Sequence, residues 1–195
     1  MATKVSICSN ALLMLGSQTI NDFNEPNDRA KLVSNLWEPV SDWLLRSHLW
    51  NCAVKRVQLA PDTAAPVFDY SQQYTLPGDW LRTLQIGERG APIDYTQEGR
   101  KILCDVDPLN LVYVARVDEG TWDTLLQFAA ILAMATACAY AITLSAAVGE
   151  QKLQELREVL RQARAVDGQD NPPEELGDYR LFMSRFTTSV PAVFR

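Results

Sequence analysis

Residues 124–149, TLLQFAAILAMATACAYAITLSAAVG, decide the fold: 26 residues without a charge, bounded by Asp123 and Glu150. Length alone would let the run cross a bilayer, which takes about 20 apolar residues. Its composition argues otherwise. Nine of the 26 are alanine, and Thr, Ser and Gln are scattered among them. Alanine contributes little to insertion compared with Leu or Ile, and acids flank the run where a Lys/Arg cluster would be expected. A helix that is apolar all round, with small residues that let neighbours approach closely, suits the middle of a bundle. The run is therefore read as a buried central helix without a membrane partner, opened by Thr121 as N-cap and ending near Leu144. A membrane span over residues 125–148 is the weaker alternative.

Outward from it, apolar residues recur at helical spacing. Val5, Cys8, Leu12 and Leu15 predict a helix over 3–16 that Gly16 ends. A polar loop, 17–25, offers Ile20 and Phe23 as core pegs. Ala30, Val33, Leu36, Trp37, Val40, Leu44 and Ser47 predict a second helix from Pro26 to His48, kinked or broken at Pro39. Leu153, Leu156, Leu160 and Ala163 predict a fourth, from Gly149 to Val166, which Asp167-Gly168 stops.

Between these helices the character changes. Short runs of strand type fall at Val54–Leu59, Gln73–Leu76, Leu81–Ile86, Ile93–Thr96, Lys101–Cys104 and Leu109–Val117, separated by Pro, Gly and Asp turn signals. They predict one small antiparallel sheet inserted between helices. The expected class is thus mainly α: an antiparallel bundle of about four helices over 1–53 and 118–167, a β-rich insertion over 54–117, and an extended C-terminal arm over 168–195. The arm opens with Gly-Gln-Asp-Asn-Pro-Pro-Glu-Glu and then turns apolar and aromatic, with acids first and Arg180, Arg185 and Arg195 last.

A chain of 195 residues buries enough surface to need neither disulfides nor metal. Net charge is −6, from 24 acids and 18 bases, which does not suit a protein that grips nucleic-acid phosphates. Cys8, Cys52, Cys104 and Cys138 lie too far apart for a CxxC-type site and are read as reduced thiols. The N-terminal run is too short for a signal peptide. His48 is the sole histidine, and Cys52 follows it by one helical turn, but no third group is indicated to orient the pair, so His48 is read as structural. Asp105 with Asp107, and Asp118 with Glu119, read as solvated turn acids, and Lys55-Arg56 as a strand's solvent face. No phosphate-binding, dinucleotide or nucleophile-elbow motif occurs. The expectation is no enzyme, no cofactor and no metal.

Several segments together carry a resemblance. They are Asn10-Ala11-Leu12-x-x-Leu15-Gly16-Ser17-x-x-Ile20, then Leu44-Leu45-Arg46-Ser47-His48-Leu49-Trp50-Asn51-Cys52-Ala53, then Tyr74-x-Leu76-Pro77-x-Asp79-x-Leu81-Arg82. Glu98-Gly99 with Ile102-Leu103, and Val112-Tyr113, complete the series. Their order and spacing resemble the head-to-tail adaptors of tailed bacteriophages, the group that includes tail tubular protein A of short-tailed phages. The family pattern would place a proline and an aromatic where Leu49 and Cys52 stand.

The resemblance implies a non-enzymatic ring of about twelve copies beneath the portal, extending the DNA channel, with head-to-tail contacts between copies. The partners it implies are other copies of the chain, the portal protein and a downstream tail or nozzle protein. Genomic DNA would pass through without sequence-specific binding. The place is the virion neck, after assembly in the host cytoplasm. The C-terminal arm would embrace the portal through Tyr179, Arg180, Leu181, Phe182, Phe186, Val190, Phe194 and Arg195. Tyr179, Phe182 and Phe186 stand at i, i+3 and i+7, a spacing that suits a helix laid in a groove. Turns containing Pro77, Gly78, Asp79 and Arg89 would face the tail. Alternatives are another neck-ring protein (a stopper or tail-completion factor) and a helical binding module unrelated to virions.

Overall fold

A computed structural model describes residues 2–88 and 93–170. In chain order the elements are α1 (Lys4–Met14), α2 (Asp28–Arg46), β1 (Val54–Leu59), β2 (Gln72–Thr75), β3 (Trp80–Ile86), β4 (Tyr95–Glu98), β5 (Lys101–Cys104), β6 (Leu109–Ala115), α3 (Thr124–Thr143) and α4 (Ala146–Gln169).

These elements correct the expected class. The described residues are 48% helical and 19% strand, and the strands form two three-stranded antiparallel sheets. The protein is therefore mixed α and β, not a mainly helical bundle with one small sheet. The sheet orders are β1-β6-β3 and β2-β5-β4. An alternating run reveals that a strand exists but not which strand it will pair with. Here β1 takes β6, from the far end of the insertion, so the six runs divide between two ladders.

Two units emerge, and their boundaries fall inside β1, β3 and β6. The α unit comprises residues 2–56, 77–84 and 112–170; the described part of the β unit comprises 57–76, 85–88 and 93–111.

In the α unit each helix start has its own chemistry. Thr3 and Ser6 form a capping box: Thr3 Oγ1 accepts from the Ser6 N–H at 3.2 Å, and Ser6 Oγ from the Thr3 N–H at 2.9 Å. Asn27 Oδ1 accepts from the Ala30 N–H at 2.7 Å and opens α2, leaving Pro26 outside the helix. Asp123, not Thr121, caps α3, accepting from the Leu125 N–H at 3.0 Å. Thr121 instead closes a short 3-10 turn.

Pro39 does not break α2. Val33 and Trp37 before it, and Ser41, Leu44 and Leu45 after it, are all buried, so one core holds both halves. α4 begins three residues before Gly149 and runs through Asp167-Gly168 to Gln169. In that last turn both the carboxylate and the backbone carbonyl of Asp167 accept hydrogen bonds from Asn51.

α3 buries Leu126, Ala129, Ala130, Leu132, Ala133, Met134, Ala135, Cys138 and Ala139. It packs against α1, α2 and α4, as expected of a central helix. Thr124–Thr143 is long and apolar enough to cross a membrane by composition, and half of its apolar window is buried inside the protein. Trp37 and Trp122 stack beside it with centroids 6.1 Å apart. Past its end, Leu144 adopts φ 55° while 80% exposed. That left-handed position favours glycine, and Leu144 gains no burial in return. Leu144→Gly should stabilise the chain by about 0.5–1 kcal/mol in a denaturant titration; a loss of stability would refute the strain.

In the β unit β5 is central. Tyr74 of β2 and Gln97 of β4 both lie opposite Ile102. Tyr74, Leu76, Ile102, Leu103, Cys104, Leu109 and Leu111 are buried, and the Tyr74 hydroxyl donates to the Val106 carbonyl. β4 is exposed along its whole length. It covers Tyr95–Glu98 rather than 93–96, because Gly99 at φ 58° places the turn directly before Lys101.

Candidate interaction surfaces

The turn expected to face the tail is largely committed to the protein itself. The Trp80 N–H donates to the Pro77 carbonyl at 3.1 Å and closes the turn. Asp79 Oδ2 accepts from Lys55 Nζ at 2.7 Å, and Oδ1 from the Tyr113 hydroxyl at 3.1 Å. The Asp79 carbonyl accepts from the Arg116 N–H at 2.7 Å. Burial works against the Asp79 carboxylate, but the hydrogen bonds from Lys55 and Tyr113 outweigh it and hold its pKa below the ordinary value. Burial, reinforced by Asp79, pushes the Tyr113 phenol up to about 12. Asp79 is thus a brace between β1, β3 and β6, and Lys55 is its partner rather than an idle surface base. Gly78 is exposed. Arg89 lies outside the described residues.

A different loop presents the apolar surface. Residues 60–71 connect β1 to β2 and carry Val67, 96% exposed, and Phe68, 74% exposed. Both feet of the loop are pinned. The Asp62 N–H donates to the Gln73 carbonyl at 2.8 Å. The Asp62 carboxylate accepts from Thr75 Oγ1 at 2.8 Å and lies 3.5 Å from Lys101 Nζ. At the other foot the Ser71 N–H donates to Asp105 Oδ1 at 2.7 Å, and the Tyr70 hydroxyl lies 3.0 Å from Thr96 Oγ1. In sequence only the start of this loop, Ala60-Pro61-Asp62, carries a turn signal. The only signal of its tip is a Val-Phe pair in a stretch rich in Ala, Pro and Asp, with no periodicity to mark it.

A third feature joins the end of α2 to the end of α4. The Asn51 N–H donates to Asp167 Oδ1 at 3.0 Å, and Asn51 Nδ2 donates to the Asp167 carbonyl at 2.6 Å. His48 Nε2 lies 3.4 Å from Asp167 Oδ2. Trp50 packs edge-on against His48 with centroids 4.8 Å apart. Asp167 is the third group the sequence did not indicate, yet the set is not poised for nucleophilic catalysis. Burial first, then Asp167, pushes the Cys52 thiol up to about 11, whereas a nucleophilic cysteine needs a lowered pKa.

His48 is also displaced. Burial, with help from Arg164 and Arg82, lowers its pKa against the opposing pull of Asp167. The unfolded chain therefore takes up a proton near the ordinary value of 6.5, while folded His48 resists until lower pH. Stability should be full above about pH 6.5 and should decline as pH falls below it. His48→Asn should flatten that part of a stability-against-pH curve; an unchanged curve would remove His48 as its cause.

The turn acids do local work. Asp118 Oδ1 accepts from the Gly120 N–H at 2.8 Å, and Asp105 anchors Ser71. Among the described residues no three His, Cys, Asp or Glu side chains gather as a metal site would require. Tyr179, Arg180, Leu181, Phe182, Phe186, Val190, Phe194 and Arg195 lie outside the described residues, so the structure brings none of them to a site. No family model matches the chain, and no curated protein matches it.

Proposed function

We propose that the chain is a structural head-to-tail adaptor of a tailed-phage virion. It would form a ring of about twelve copies beneath the portal, continue the DNA channel and perform no chemistry. The observation that carries this reading is the pinned loop with Val67 and Phe68 at its tip. A surface pair this exposed, on a loop held at both feet, is suited to insertion into a partner and adds nothing to the chain's own core. In this assignment the loop, rather than the Pro77–Asp79 turn, meets the downstream tail or nozzle protein, and the C-terminal segment meets the portal. The ordered resemblance of the sequence motifs and the net charge of −6, which avoids gripping passing phosphates, support the same reading.

The test is the light-scattering mass of the cognate portal mixed with the full chain or with a chain ending at Asp170. Ending at Asp170 leaves the Asp167 contacts whole. The expected result is a gain of about a dozen subunit masses that truncation abolishes. No gain with either chain would overturn the reading.

A further inference from the structure

We infer that the corner where the end of α2 meets the end of α4 is a docking surface for an acidic segment of a partner protein. Carboxylates of that segment would pair with Arg82 and Arg164, and an apolar side chain between them would rest on Trp43, Leu49 and Val166. The inference stands apart from the adaptor reading and does not need it.

The corner is assembled within the α unit. Arg82 Nη1 donates to the Arg46 carbonyl at 3.2 Å, and Arg164 Nη2 lies 3.5 and 3.3 Å from the Ser47 carbonyl and hydroxyl. Two exposed guanidiniums thus sit on successive carbonyls at the C-terminal end of α2, where cations are favoured. Leu49 follows His48, Val166 precedes Asp167, and His48 meets Asp167 at 3.4 Å. Trp43 stands one helical turn before Ser47. Trp43, Leu49 and Val166 are all large, apolar and exposed.

Holding these carbonyls uses one nitrogen of each guanidinium. A guanidinium carries five N–H donors in a rigid fork that matches a carboxylate. Among the described residues no carboxylate lies within ion-pair distance of Arg82 or Arg164. Both charges act on His48, so the two share one neighbourhood. Asp167, the carboxylate of this corner, is largely buried and engaged by Asn51 and His48. The forks are therefore in position before a partner arrives, which lowers the ordering cost of binding. Arginine and tryptophan are also the side chains that most often anchor a protein interface.

The occupant that fits is a protein segment rather than a nucleic acid. Leu49 and Val166 gain nothing against a sugar-phosphate backbone, and a net charge of −6 opposes a polyanion at long range. A short stretch with carboxylates on either side of an apolar residue satisfies the guanidiniums and the apolar surface together. Opposite signs would steer the encounter and make it sensitive to salt.

The probe is the acetylated and amidated peptide Glu-Glu-Leu-Phe-Glu-Glu, titrated at low salt into the full chain. His48 is the sole histidine, so its imidazole resonances report on this corner. Saturable shifts are expected. Their midpoint should rise roughly tenfold for the neutral peptide Gln-Gln-Leu-Phe-Gln-Gln, and as much for the Arg82→Gln, Arg164→Gln chain. Leu49→Ser should raise it roughly threefold with both arginines in place. The neutral peptide leaves the protein unaltered, so weaker binding there cannot come from unfolding. Unmoved His48 resonances, or equal binding of the charged and neutral peptides, would overturn the proposal. Tighter binding of a single-stranded oligothymidylate of equal charge would also overturn it, by assigning the corner to nucleic acid. No portal takes part, so this titration and the portal mass measurement fail independently.

Discussion

Replacing Trp50 with alanine is expected to lower the unfolding free energy by about 3–5 kcal/mol. The indole is almost wholly buried, and its Nε1 donates to the Leu44 carbonyl at 3.0 Å. The same carbonyl also accepts from the Ser47 N–H at 3.2 Å and from Ser47 Oγ at 2.8 Å. Losing the indole donor therefore leaves no orphaned acceptor, and the cavity dominates the loss. The cavity would open where Trp50 meets His48, between the end of α2 and the turn Asn51–Ala53 that carries the Asp167 partner Asn51. The α4 terminus should loosen as a consequence. Trp50→Phe separates the two effects: it removes the donor but keeps most of the volume, and should cost about 1–2 kcal/mol. Helical circular dichroism in a denaturant titration would measure both. A loss below about 1 kcal/mol for the alanine variant would show that the site collapses and that Trp50 does not hold the corner.

What the sequence revealed and what it concealed follow a physical division. The central helix was legible because 26 uncharged residues leave few alternatives for a chain that buries them. Helix faces were legible because Val33, Trp37 and Leu44 repeat with the helical period. All six strand runs were found to within two residues, since alternation is local, but their division into two sheets was not, because β1–β6 pairing is a long-range choice. Caps slipped by two residues where Thr121 and Asp123 competed, and the carboxylate nearer the helix won. The Asn51–Asp167 bond joins positions 116 residues apart, and no spacing rule anticipates it. For the same reason α4 was expected to stop at Asp167 and instead passes through it. Asp79 was expected only as part of a turn facing the tail; its bonds to Lys55 and Tyr113 join positions 24 and 34 residues away, which no local pattern marks. The Val67–Phe68 tip was illegible for the opposite reason. An apolar pair in a turn-rich loop reads as core until the fold leaves it outside.

That tip is the subject of the second large expected effect. Under the proposed adaptor function, Val67→Ser with Phe68→Ser should weaken binding of a downstream tail component to a portal-assembled ring by roughly 30-fold or more, the scale of a hot-spot loss. The same double variant should leave stability within about 0.5 kcal/mol of the parent, because neither side chain is buried in the chain's own core. Mass gain on the portal should also persist, since the altered loop is separate from the C-terminal segment in sequence. This combination (one partner lost, one kept, fold intact) is what distinguishes a docking element from a general defect. The feet of the loop supply the control. Asp62→Ala removes the acceptor of Thr75 Oγ1 and the partner of Lys101 while keeping both apolar side chains. If a presented tip matters, this change should weaken the same partner by a smaller factor, through the ordering cost of a loosened loop. Undiminished tail binding by the serine double variant would move the contact elsewhere on the β unit. The exposed strand β4, with one edge on β5, would then be the surface to alter next.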